Sequence, residues 1–337
     1  MFSYRVEKGA GIAALALGQS EAPVPGRGQV LVRVRAASLN FRELMIVEKG
    51  QYPLPIKPHL IPASDGAGEV AAVGDGVTRV RAGDRVVGQI FPQWTDGPFR
   101  WDHAAQVGGS CDGMLTELAV LDEEGALAIP SHLSFEEAAT LPCAGVTAWN
   151  ALVGGAPLEP GQTVLTLGSG GVSLFALQLA KLHGARVIAT TSSPDKARRL
   201  TALGADAVVD YRATPDWHLA VRELTGGAGV DRVVEVGGTG TLARSIRCLA
   251  GDGHISLVGS LSPDATPLEP SALNGFVGTI RRLAVGSRAQ FVAMNRAIEL
   301  HRLRPVIDRV FAFRDAPEAF RYYAAGHAFG KVVIQID

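Results

Sequence analysis

The stretch LPCAGVTAW, residues 141–149, sets a cysteine beside a proline at the foot of a helical segment. A cysteine in that setting can ligate a metal, react as a thiol or fill a small apolar gap. Farther along, GSGGVS places Gly168, Gly170 and Ser173 at the three positions of a dinucleotide-binding fingerprint. Gly168 permits a tight turn, Gly170 lets backbone N–H groups approach a pyrophosphate, and a small third residue allows helix and strand to pack. The helix opening at Gly171 and Val172 directs its positive end at the phosphates. About 20 residues on, where an NAD-binding chain carries an acidic residue, the sequence reads ATTSSPDKARR, residues 189–199. Thr191, Ser192 and Ser193 accept a 2'-phosphate that a carboxylate would repel, and Lys196 supplies the counter-charge. NADPH is therefore the expected cofactor, with NADH second. Ser193 also suits a helix cap, Pro194 a first helical position, and Lys196 and Arg198 a solvated face, and both sets of roles can hold together.

The elements around these residues change character near residue 145. VLVRVRA (30–36) alternates apolar and basic residues, and GEVAAVGDGV (68–77) and GDRVVGQI (83–90) are short segments punctuated by glycine. They predict a small antiparallel barrel or sandwich. After 145, the segments 163–168, 186–191, 206–211, 231–238 and 254–259 are almost continuously apolar, with helical stretches at 171–183 and 195–203 between them. Buried strands alternating with helices predict a doubly wound parallel sheet, with a sixth strand at 280–286. The tail reads as a helix and a closing strand, GKVVIQI. A chain of 337 residues, 47% hydrophobic and 19% charged, fits about two domains. Its net charge of −1 gives no field drawing it to nucleic acid or an anionic membrane. The longest apolar runs, such as IAALAL (12–17), fall far short of the roughly 18 residues of a membrane span, and a first hairpin fits that run better than a signal peptide. Cys111, Cys143 and Cys248 cannot all pair and match no disulfide framework, which suits a reducing cytoplasm.

In this order, the β-rich first third, LPCAGVTAWNAL, GSGGVS, VVEVGG and FGKVVI resemble the medium-chain dehydrogenase/reductase superfamily along nearly the whole chain, on its zinc-independent, quinone oxidoreductase-like side. The resemblance implies an α/β protein: a GroES-like β-barrel catalytic domain from 1–144 and 285–337, and a Rossmann NADP-binding domain over 145–284. Zinc alcohol dehydrogenases of the superfamily take catalytic ligands from a Cys-His pair, a Gly-His-Glu motif and a later cysteine. Here Asn40 and Phe41 stand for the first pair, Ser64 and Asp65 for His-Glu, and only Cys143 survives. Catalytic zinc takes three thiolate, imidazole or carboxylate ligands, so the resemblance implies no catalytic zinc and leaves Cys143 as an apolar filler or a thiol. The structural zinc lobe corresponds to residues 91–113, which hold one cysteine, Cys111, and His103 there reads as a surface histidine.

Without a Lewis acid, hydride transfer from a dihydronicotinamide relies on hydrogen-bond donors for the charge developing on the substrate. That suits an enone, a quinone or a related activated carbonyl. The resemblance places Tyr52 of GQYP in the pocket, Asn40 at the nicotinamide half of the cofactor and Asp65 close by, and these three are the candidate catalytic residues. Phe41 replaces a second tyrosine of some relatives. Thr147 is carried over to the nicotinamide or its ribose, Tyr211 to the 2'-phosphate, and Gly237, Val258, Ser260, Ser287 and Lys331 to the cofactor. A small-molecule substrate and a homodimer paired through residues 279–286 complete the expectation. Two alternatives stay open: a zinc-dependent alcohol dehydrogenase, and an NADPH-binding sensor without turnover.

Overall fold

The computed structural model of the protein describes residues 1–262 and 267–337. The chain forms two compact units, Met1–Val146 with Val285–Asp337, and Thr147–Ala284.

The first unit opens with a hairpin of β1 (Phe2–Arg5) and β2 (Ala16–Gln19). The apolar run inside it breaks into a 3-10 turn at Ile12–Ala14. Its main sheet contains β3 (Gln29–Ser38), β4 (Asp65–Val73), β5 (Arg85–Gly88), β6 (Leu118–Asp122) and β7 (Ala126–Ala128). Along β3, Val30, Val32 and Val34 are buried while Arg33 faces solvent, as period-2 alternation requires. Two segments behave differently from the sequence reading. SLNFRELMIV contains a short helix, Phe41–Val47, whose start is fixed by Glu43 Oε2 accepting from the Asn40 N–H at 2.8 Å; the segment is too short for helical periodicity to register. The tail adds β14 (Ile307–Ala312) and a helix at Ala316–Ala324 between the expected helix, Arg288–His301, and the closing strand β15 (Lys331–Gln335). β14 and β15 are parallel, in a sheet otherwise antiparallel and ordered β14-β15-β3-β4-β5-β7, with β6 on β3.

Register in this sheet determines what chemistry is possible. Ser38 pairs with Asp65 on β4 and with Val333 on β15, and the next residue, Leu39, donates its N–H to the Val332 carbonyl at 3.0 Å. Because side chains on a strand repeat every second residue, Lys331 lies on the same face as Val333. Three adjacent strands therefore deliver Ser38, Asp65 and Lys331 to one place.

The second unit is a six-stranded parallel sheet ordered β10-β9-β8-β11-β12-β13. Its strands are β8 (Thr163–Leu167), β9 (Arg186–Thr191), β10 (Ala207–Asp210), β11 (Val230–Glu235), β12 (Leu249–Leu257) and β13 (Gly278–Arg282). Leu165, Ile188, Val233 and Ile255 fill its core. The order reverses between β8 and β11, the switch point at which open α/β sheets bind ligands beyond their carboxyl ends. β12 begins earlier than expected, through a register shift between Val230 and Arg232, and β13 ends at Arg282. Among the described residues no helix is long and apolar enough to cross a membrane.

Gly68 marks the closest approach of β3 and β4: a Cβ there would lie 2.1 Å from the Arg33 carbonyl oxygen. Gly68→Ala should destabilise by about 1–3 kcal/mol or more, seen as a fall of several degrees in Tm. Gly18→Ala, with nothing within 4 Å of the added carbon, should stay within about 0.5 kcal/mol of the parent. Equal melting of the two variants would contradict this packing.

Candidate active site

In the second unit, Gly168 turns the chain at φ +72° after β8 and donates its N–H to the Thr190 carbonyl at 3.0 Å. Gly170 is the N-cap of the Gly171–Leu182 helix and offers no capping side chain. The first-turn amides at Gly171 and Val172 are thus left for an anion. Ser173, larger than the ideal third residue, donates its hydroxyl to the Leu167 carbonyl at 2.6 Å and is buried. Its extra atom satisfies the strand end, so helix and strand still pack. These features fit a pyrophosphate.

At the end of β9, Thr191 is buried and its carbonyl accepts the Tyr211 N–H at 2.9 Å, which ties Tyr211 to the end of that strand. Ser193 caps the Pro194–Ala202 helix by accepting the Lys196 N–H at 3.2 Å. Its hydroxyl therefore has a structural task, and Lys196 lies in the first turn of that helix. Asp195, the acidic residue of this turn, pairs with Arg198 at 3.0 Å. Past β11 and β12, Gly237 donates to Glu235 Oε1 at 2.7 Å and Val258 to the Glu235 carbonyl at 2.8 Å. Gly238 takes φ +79°, and a Cβ added there would lie 2.8 Å from Ser260 Cα. Glu235, fully buried, braces this turn and also accepts from Thr241 and Ser245. Thr147, at the start of the unit, is 4% exposed.

The first unit holds a buried polar network around Lys331. The Lys331 ammonium is buried and donates to the Leu39 carbonyl (2.8 Å), Asn40 Oδ1 and Asp65 Oδ2 (3.3 Å). Asp65 Oδ2 also accepts from the Ser38 hydroxyl (2.8 Å) and Asn40 Nδ2 (2.9 Å). Asn40 is clamped, with its oxygen on the ammonium and its nitrogen on the carboxylate, leaving one N–H to donate elsewhere. Asp65 Oδ1 is buried without a hydrogen-bond partner. Glu43 joins the next loop by accepting from the Ser64 N–H (3.1 Å) and Ser64 hydroxyl (2.9 Å). Beside it Arg42, 7% exposed, reaches Gln106 Oε1 at 2.6 Å and the Tyr52 hydroxyl at 3.2 Å. Burial works against the Arg42 charge, yet Tyr52 and Glu43 next to it hold its pKa above the ordinary arginine value. Ser287, also expected at the cofactor, instead caps the Arg288–His301 helix by accepting the Gln290 N–H at 3.2 Å.

Residues 26–131 match the alcohol dehydrogenase GroES-like domain and residues 171–299 the zinc-binding dehydrogenase family. A zinc-type alcohol dehydrogenase-like protein of Schizosaccharomyces pombe is 43% identical over 92% of this chain and 91% of its own. A quinone oxidoreductase of Pseudomonas aeruginosa is 33% identical, covering 92% of each. The crystal structure of a putative alcohol dehydrogenase from Sinorhizobium meliloti 1021 superposes with a TM-score of 0.91 at 38% identity, over 99% of this chain and 98% of that one. The chain belongs to the medium-chain dehydrogenase/reductase superfamily. It is an oxidoreductase of that type, with a GroES-like unit and a nicotinamide-dependent dehydrogenase fold.

For a medium-chain dehydrogenase, the catalytic-zinc positions here are chemically unsuited to the metal. The Asn40 amide is occupied by Lys331 and Asp65, and the Ser64 hydroxyl by Glu43. Burial pushes the Cys143 thiol far above its ordinary value, against the thiolate a metal needs, and Asp65 raises it further. The Lys331 charge beside them opposes a second cation. Among the described residues no three His, Cys, Asp or Glu side chains are grouped to hold a metal. The 171–299 match includes none of these positions. In the lobe at 91–113, Phe99 packs edge-on against Phe91, Trp94, Trp101 and His103 with ring centroids 5.1–6.1 Å apart. His103 is half-buried there and accepts the Arg100 N–H at 3.2 Å, so it also braces the lobe.

Ser38, Arg42, Glu43 and Gln106 were not anticipated. Asn40-x-x-Glu43 carries a helix-start signature, the one local signal that could have found Glu43. Removing the cation alone should be costly: Lys331→Met should destabilise by about 3–5 kcal/mol in denaturant unfolding, because Asp65 is left buried and uncompensated. Adding Asp65→Asn to that variant should recover part of the loss, whereas additive losses would separate the two residues.

Proposed function

We propose that the protein is a zinc-independent, NADPH-dependent reductase that delivers hydride to an activated alkene, a quinone or a related carbonyl. The observation that supports it most is the clamp on Asn40: a protein ammonium and carboxylate engage the groups that would otherwise face a metal. When bound, NADPH would supply the hydride, two electrons with a proton, with oxidation to NADP+. The free N–H of Asn40 polarises the substrate oxygen while negative charge builds there. The Tyr52 hydroxyl gives its proton to the reduced substrate and regains one from water, so one proton from solvent is consumed per turnover. Conjugation spreads the developing charge, which lets neutral donors suffice. Asp65 Oδ1 accepts a hydrogen bond from a donor on the bound ligands, and Asp65 with Lys331 holds Asn40 in place.

The second unit takes the nucleotide: Gly168, Gly170, Gly171 and Val172 at the pyrophosphate, Thr147, Gly237, Val258 and Ser260 along the nicotinamide half, and Ser192, Ser193, Lys196 and Tyr211 at the 2'-phosphate. Lys331 acts through Asn40, not on the cofactor directly, and Ser287 serves its helix. Free cysteines at 111, 143 and 248 suit a reducing, cytoplasmic setting. β13 is an edge of its sheet, and we assign the homodimer contact to that edge.

NADPH oxidation followed by stopped flow against a panel of enones, quinones and aldehydes, in metal-free buffer, tests the activity. Turnover is expected with the conjugated members. Silence across the panel despite tight NADPH binding would point to a sensor instead. Lys196→Ala should weaken NADPH by about tenfold or more, the worth of a charge-assisted phosphate contact. Its effect on NADH should stay within about twofold, and equal losses for both nucleotides in fluorescence titration would remove Lys196 from the phosphate site.

A further inference from the structure

Arg42 presents an arrangement that packing alone does not require. Its guanidinium is buried, and each of its five N–H donors has an acceptor. Nη1 meets the Val107 carbonyl at 3.2 Å and Glu43 Oε1 at 3.4 Å. Nη2 meets Gln106 Oε1 at 2.6 Å and the Gly108 carbonyl at 3.3 Å. The remaining donor, Nε, points at the Tyr52 hydroxyl oxygen at 3.2 Å, and the guanidinium carbon lies 4.9 Å from the centre of the Tyr52 ring. Four of the five contacts lock the fork, and the fifth is directed at the phenol. No hydrogen bond from the Tyr52 hydroxyl to any described residue accompanies it.

We infer that Arg42 is a positioning residue for proton transfer: it occupies a lone pair of Tyr52 Oη and thereby turns the phenolic O–H outward as a donor. The inference rests on the hydride-transfer function proposed above, with Tyr52 as the proton source. A phenol oxygen has one proton to give and two lone pairs. A cationic donor on one lone pair fixes the hydroxyl's orientation and strengthens its capacity to donate, since hydrogen bonds in series polarise one another. When the proton passes from Tyr52 Oη to the hydride-reduced substrate, the electron pair of the broken O–H bond stays on Oη, facing the guanidinium. Solvent then restores the proton. Glu43 ties this device to the rest of the network, because one of its oxygens meets Arg42 and Ser64 while the other accepts the Asn40 N–H. The acceptor-polarising amide and the proton donor are therefore set by adjacent residues of one short helix.

The test is a double-mutant cycle on kcat, with NADPH affinity measured separately by fluorescence titration. Arg42→Met should lower kcat by about tenfold to a hundredfold, with KM and NADPH affinity changed by less than about threefold. Tyr52→Phe should lower kcat by about a hundredfold. The double variant should match Tyr52→Phe within about twofold, since residues acting as one unit do not add. Should Arg42→Met fail to fold, Gln106→Met removes the 2.6 Å acceptor while leaving the other four contacts, and should lower kcat by about threefold to tenfold, again with no effect in the Tyr52→Phe background. An equal fractional loss in both backgrounds, or a fast Arg42 variant beside a slow Tyr52→Phe, would overturn the role of Arg42 and leave Tyr52 as the donor. A Tyr52→Phe variant at the parental rate would instead overturn Tyr52 as the donor, and Arg42 with it.

Discussion

The Lys331 ammonium lies buried between Asp65 Oδ2, Asn40 Oδ1 and the Leu39 carbonyl, and a charge so fully removed from water persists only because each of its protons meets an acceptor. That constraint propagates outward. Asp65 must remain opposite Ser38, Lys331 must enter two residues before Val333, and Asn40 must leave the end of β3 with its side chain available. Asn40 could have capped the helix it begins, but its backbone N–H is held by Glu43 and its amide serves the ion pair instead. The sheet register, the helix start and the ion pair specify one another.

Such a cluster gives a nicotinamide-dependent fold a different way of handling charge. A metal polarises its substrate through a bare positive centre held by thiolates and imidazoles. Here the positive centre is a lysine whose donors are all engaged, so its field is passed on through an amide of fixed orientation. In the function proposed above, that field would be weaker and more directional than a zinc ion's, which would favour substrates that spread charge by conjugation. The lobe at 91–113 is held by protein contacts of its own, the rings packed edge-on around Phe99.

Much of this was legible in the sequence where the determining physics is local. GSGGVS was readable because turn, backbone approach and helix start all fall within six residues, and the parallel strands because buried strands are continuously apolar. Asn40 stood out because it falls at the position of a zinc ligand, and Asp65 because it falls beside one. For Lys331 the resemblance implies only a place at the cofactor, since nothing near it in sequence shows that its protein partners are residues 39, 40 and 65. Arg42 was invisible for a similar reason: its acceptors come from residues 43, 52 and 106–108, and a charged pair within FRELMIV resembles an ordinary solvated face. Ser193 and Ser287 illustrate the reverse difficulty: a serine before a helix suits a cap and a phosphate contact equally well, and both hydroxyls cap here, a role that leaves the Ser193 O–H able to donate.

The claim that protein groups, with no metal, polarise the substrate is tested most directly by measuring NADPH-dependent turnover after exhaustive treatment with a strong chelator, then after stoichiometric zinc is returned. The account predicts an unchanged rate at both stages. Loss of activity on chelation, with recovery as zinc is restored to one ion per chain, would contradict it.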